Sequence, residues 1–170
     1  MDDIFNSLST YGYIIVFLYS FGGGFLALLA ASVLSYAGEM NLYLTLIVAF
    51  VANMLGDGVL FWMARNQMGD LSQHMKKYSR QLALTRLLMK KYGSLVIFIQ
   101  KYIYGVKTLI PIAMGLTKYD FKTFLFFNIF ASLLWTLIVG IGGYLSGEFF
   151  INLFQKAKEY PYLAPIILLG

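Results

Sequence analysis

Two lysines, Lys101 and Lys107, stand six residues apart in an otherwise apolar run, with Gly105 between them and Pro111 just beyond. A lysine at the centre of a bilayer costs roughly 2.5 to 3.5 kcal/mol on insertion scales, so a pair needs something to offset it. If the backbone turns at Gly105, the two ammonium groups can converge on an anionic headgroup. The alternative is that both side chains snorkel to the surface. Asp57 is the single acid inside any apolar stretch, in Gly56-Asp57-Gly58, whose glycines let another backbone come close. It can pair with Lys101 or Lys107, take up a proton, or sit at a helix end against Arg65. Asn53 and Asn128 read as packing residues able to hydrogen-bond between helices. The absence of Cys excludes a disulfide, a thiol nucleophile and a Cys-based metal site, and a lone His74 in a polar stretch does not by itself assemble a metal site or a Ser/His relay.

The elements that position these residues belong to a membrane. Hydrophobic residues make up 59% of the chain and charged ones 12%, with a mean hydropathy of +0.71, far above soluble domains. Residues 4–38 and 123–147 carry no charge at all, and either stretch exceeds the ~20 residues of helix that cross a hydrocarbon layer. The first begins with Asp2 and Asp3 and is rich in Gly, unlike a secretory signal, and is expected to remain in the mature protein. The net charge of +5 reports topology and contact with anionic lipid; no nucleic-acid partner is expected.

Five apolar blocks follow: 4–38, 40–64, 92–117, 121–147 and one starting near Tyr160. The last is too short to span, so the given sequence is expected to stop within its final helix. Between the second and third blocks, residues 65–91 carry Arg65, Lys76, Lys77, Arg80, Arg86, Lys90 and Lys91 against Asp70 alone, which predicts a cytoplasmic loop. Leu84, Leu87, Leu88 and Leu95 in its second half predict an amphipathic helix on the inner surface, with a solvated basic linker as the alternative.

Two blocks are broken. Gly22, Gly23 and Gly24 sit consecutively in the first, where each would loosen a helix by about 1 kcal/mol relative to Ala. Pro111 removes a backbone donor in the third and disfavours helix at Ile110. Irregular backbone survives at membrane depth only when buried in protein or facing water, so the two breaks are expected to meet. Each broken block precedes a cleaner span, giving halves 1–64 and 92–170 of similar plan. The expected fold is a single all-α polytopic membrane domain over 1–170. In it two opposed re-entrant helical hairpins pack against transmembrane helices as an inverted repeat, a layout common in secondary transporters. Gly140, Gly142, Gly143 and Gly147 read as close helix packing. Tyr102, Tyr104, Tyr119, Trp135 and Tyr144 read as aromatic belts, with a lipid path as the alternative.

The run from Lys101 to Gly115 resembles the signature of the DedA family, also called the VTT or SNARE-associated-domain family. That signature has two arginines six apart, a proline four residues after the second and a glycine four further on. The similarity continues through Phe126-Phe127-Asn128, Leu134-Trp135 and Gly143-Tyr144-Leu145-Ser146-Gly147, appears earlier at Gly56-Asp57, and covers about residues 20–150. It implies opposed re-entrant hairpins in the bacterial inner membrane and movement of lipids between leaflets, notably undecaprenyl phosphate and some phospholipids. Several members depend on the proton gradient, and eukaryotic relatives are scramblases. Lys101 and Lys107 occupy the arginine positions, keeping the charge but losing the planar bidentate grip. Acids that many members carry in the first hairpin fall at Gly12 and Gly24, leaving Asp57 as the intramembrane carboxylate.

The expected function is a flippase for undecaprenyl phosphate or a similar anionic lipid, bound by Lys101, Lys107, Gly105 and Pro111. The alternatives are a phospholipid scramblase, or a proton-coupled ion or drug antiporter with indirect lipid effects. Partners are membrane lipids, with association between copies of the chain left open; no metal or cofactor is implied. An enzyme acting on lipid phosphate would need His nucleophiles or metal clusters that the composition does not supply.

Overall fold

In the computed structural model the described residues are 2–22, 24–66, 79–103, 107–117 and 119–159. Gly23 and Gly105 lie outside them, as do Tyr104, residues 67–78 of the basic loop with His74 among them, and the block from Tyr160. The architecture is all-helical: α1 (Asp2–Phe21), α2 (Phe25–Tyr36), α3 (Leu42–Asn66), α4 (Ser79–Tyr92), the single turn α5 (Val96–Ile99), α6 (Leu109–Gly115), α7 (Phe121–Leu145) and α8 (Gly147–Glu159). Short 3-10 turns, Gly93–Leu95 and Gln100–Tyr102, flank α5.

By length and composition α3 and α7 can each cross a membrane. Their starts are set by side-chain caps. The Leu44 N–H donates to Asn41 Oδ1 at 3.2 Å, and the Thr123 N–H to Asp120 Oδ2 at 2.8 Å, each satisfying a donor that the first turn leaves unpaired. The bond from the Thr123 N–H, then that from its hydroxyl, holds the Asp120 carboxyl below its ordinary value. Between α2 and α3 the chain turns at Gly38, whose φ of +84° suits a residue without a Cβ.

The packing puts apolar side chains outside and polar ones inside. Leu26, Ile47, Trp62, Phe126, Ile138 and Leu145 are more than half exposed, while Ser32, Thr45, Asn53, Asp57, Lys101, Asn128 and Ser132 are buried. That distribution suits lipid as the solvent, since lipid accepts hydrocarbon while buried polar groups pair internally. α1 and α6 pack on α3, α2 on α7, and α3 on α7. Two apolar clusters flank the polar interior: Phe61, Ile97, Ile110, Met114 and Phe124 on one side, Val16, Leu28, Ala49, Trp135 and Val139 on the other. Glycines set the closest approaches. A Cβ at Gly56 would strike the Phe21 carbonyl, one at Gly115 the Phe61 carbonyl, and ones at Gly143 and Gly147 would meet Ser32 and Tyr36 on α2.

The second half of the basic loop is helical as expected. In α4 and the turn after it, Leu84, Leu87 and Leu95 are exposed, and Leu88 and Met89 pack against the Phe61 cluster. The expectation at Pro111 is corrected. Pro111 is the third residue of α6, with Ile110 already helical, and a first-turn proline loses only an N–H that has no partner within the helix. The chain leaves helical structure earlier, at Ile103, whose backbone is extended.

Candidate functional site

α3 and α7 present polar side chains to each other at four-residue spacing, one face of a helix: Asn53 and Asp57 from α3, Asn128 and Ser132 from α7. Lys101 enters between them from the 3-10 turn after α5. Its ammonium donates to Asp57 Oδ2 at 2.5 Å, Asn53 Oδ1 at 2.5 Å and Ser132 Oγ at 2.9 Å. Three protons meet three acceptors, which satisfies the group. Gln100 Nε2 donates to the same Asp57 oxygen at 3.4 Å. Ser132 Oγ donates to Asn53 Oδ1 at 3.2 Å, and Asn128 Nδ2 to the Met54 carbonyl at 3.0 Å. Among the cations considered for Asp57, Lys101 is the one paired with it.

Lys107 is placed differently. Its ammonium nitrogen is buried with no hydrogen-bond partner among the described residues, 4.3 Å from the centre of the Trp135 ring. A desolvated cation over indole gains about 2 kcal/mol, less than the several kcal/mol lost by removing an ammonium from water. The group is therefore short of an anion. It borders a cavity of about 760 Å³ lined by Leu18, Tyr19, Gly22, Gly24, Phe25, Lys101, Tyr102, Ile103, Lys107, Thr108, Trp135 and Val139. The two breaks in the chain thus meet at this cavity. Leu18, Tyr19 and Tyr102 are each more than half exposed, so the cavity is open at an apolar and aromatic mouth. Pro111 and Asp57 are not on its wall; Pro111 is buried in α6.

Arg65 is not with Asp57. Its Nε donates to the Gly115 carbonyl at 2.9 Å and its Nη2 to those of Thr117 and Tyr119 at 3.0 and 2.5 Å, with the guanidinium over Phe61 at 5.2 Å. It ties the carbonyl end of α6 to α3, a favourable end for a cation. Trp135 is buried beneath Lys107 instead of lying in a belt. Ser132 and Gln100 are members of the site that sequence reasoning does not single out. The signal for Ser132 was its four-residue step from Asn128; Gln100 gave none beyond adjacency to Lys101.

The model of the VTT domain matches residues 5–145. The chain is 25% identical to the inner membrane protein YohD of Escherichia coli K12 over 171 residues, 98% of this chain and 89% of that one. It is 29% identical to the inner membrane protein YqjA of the same strain over 149 residues, 84% and 67% of the two chains. With protein DedA of that strain it is 25% identical over 113 residues, 64% and 51% of the two. No solved structure gives a significant match. A domain match of this length, on a helical chain with its polar groups turned inward, makes the chain a member of the DedA family of VTT-domain membrane proteins.

Proposed function

We propose that this chain is a lipid flippase that carries undecaprenyl phosphate, or another lipid with a compact phosphate head, between leaflets of a bacterial inner membrane. The observation that carries this is the Lys107 ammonium, buried beside the cavity without a hydrogen-bond partner among the described residues. A phosphate oxygen would supply the missing acceptor as a charge-assisted bond. Trp135 backs the ammonium, Lys101 stands beside it neutralised by Asp57, and the aromatic mouth lets acyl or prenyl tails stay in the bilayer as the head crosses. In this reading the broken segments around Gly22–Gly24 and Ile103–Thr108 are the tips of two opposed re-entrant hairpins in an inverted repeat, and residues 65–91 face the cytoplasm.

Lys107→Ala is expected to abolish surface recycling of the carrier lipid while the protein remains in the membrane at its normal level. Unchanged recycling would refute the proposal. Exchange in liposomes with and without an imposed pH gradient separates this reading from a phospholipid scramblase, whose exchange ignores the gradient.

A further inference from the structure

The charges around the cavity restrict the phosphate it can take. Lys101 and Asp57 cancel one another across 2.5 Å. Among the described residues the other charged side chain on the wall is Lys107, and Tyr19 and Tyr102 contribute hydroxyls. The described wall therefore faces a ligand with one net positive charge. A phosphate monoester carries close to two negative charges above its second pKa of about 6, whereas a diester carries one. Seating a dianion here would leave one uncompensated negative charge against Leu18, Phe25, Trp135 and Val139, an arrangement that burial penalises heavily.

We infer that the cavity accepts one net negative charge, so that a phosphomonoester lipid enters as its singly protonated monoanion and brings a proton with it, while a phosphodiester lipid enters without one. The proton adds to a terminal phosphate oxygen on the side of entry and leaves that oxygen on the side of exit. No P to O bond is broken and nothing is oxidised.

This inference rests on the reading of Lys107 as the phosphate ligand. Its test measures leaflet exchange of a labelled polyprenyl phosphate and of labelled phosphatidylglycerol, in liposomes holding the full chain, at equal pH on both sides between 6 and 8. Monoester exchange is expected to fall about 50-fold over that range, following the monoanion fraction, with diester exchange constant within roughly twofold. Lys107→Gln should lose both activities and Lys107→Arg should keep the wild-type pH profile. Monoester exchange that ignores pH, or diester exchange that falls in parallel, would overturn the inference and leave the flippase reading standing. Exchange of neither lipid above protein-free vesicles, or full exchange by Lys107→Gln, would overturn both.

Discussion

Removing either partner of the Lys101–Asp57 pair should destabilise the protein more than removing both. The two charges lie 2.5 Å apart and are 5% and 3% exposed. At an effective dielectric near 20 their gross attraction is about 7 kcal/mol, most of it offset by the desolvation of both groups. Asp57→Ala leaves the Lys101 ammonium with Asn53 and Ser132 as neutral acceptors, and Lys101→Met leaves the Asp57 carboxylate with only the long bond from Gln100. Each single change strands a buried charge and is expected to cost about 3 to 5 kcal/mol. The double variant Lys101→Met with Asp57→Ala strands none. Its cost should lie below that of either single, and so fall short of their sum by at least about 3 kcal/mol. Reversible unfolding of the four proteins in mixed micelles supplies the cycle. Additivity within about 0.5 kcal/mol would mean that the two groups act independently, and would refute the assignment of Lys101 as a brace between α3 and α7.

Gly56→Ala should cost about 1 to 3 kcal/mol, because its Cβ meets the Phe21 carbonyl and α1 must shift. Gly58→Ala, with nothing within 4 Å of the added carbon, should be neutral or slightly stabilising in the same unfolding assay. Arg65→Lys cannot reproduce a fork reaching three carbonyls; faster proteolysis near residues 115–119 is expected, without change in membrane insertion. For Asp120 the folded-state pKa is depressed by the Thr123 bonds. Its contribution is therefore fully present above the unfolded value of 3.8 and lost as pH falls through the lower folded value. Amide exchange at the start of α7 should accelerate over that acid range in the wild type and lose this dependence in Asp120→Ala.

Much of the fold is legible in the sequence because membrane helices announce themselves by length and absence of charge: the 40–64 and 121–147 blocks correspond to α3 and α7. The meeting of the two breaks is legible too, since only protein or water can satisfy irregular backbone at depth. Pro111 misleads, because the rule against proline in a helix relaxes in the first turn. The partner of Asp57 is open among Lys101, Lys107 and Arg65 because 44 residues separate it from Lys101 in the chain, and periodicity does not say which faces meet. Neither does it say that one lysine is satisfied and the other is not. That asymmetry arises from the geometry of three acceptors on two helices, as does the burial of Trp135 beneath the second lysine.

The polar contacts between α3 and α7 also restrict which parts of the molecule can move. Asn128 grips the Met54 carbonyl and Ser132 grips Asn53, so sliding one span past the other by a single turn, 5.4 Å, would break both bonds and pull Lys101 away from its acceptors. The two long helices are in effect a stator with a pinned register. Any cycle that opens the cavity to one side and then the other falls to the other elements that carry its wall: α1, α2, and Lys107 and Thr108 at the start of α6, which Arg65 anchors at its far end.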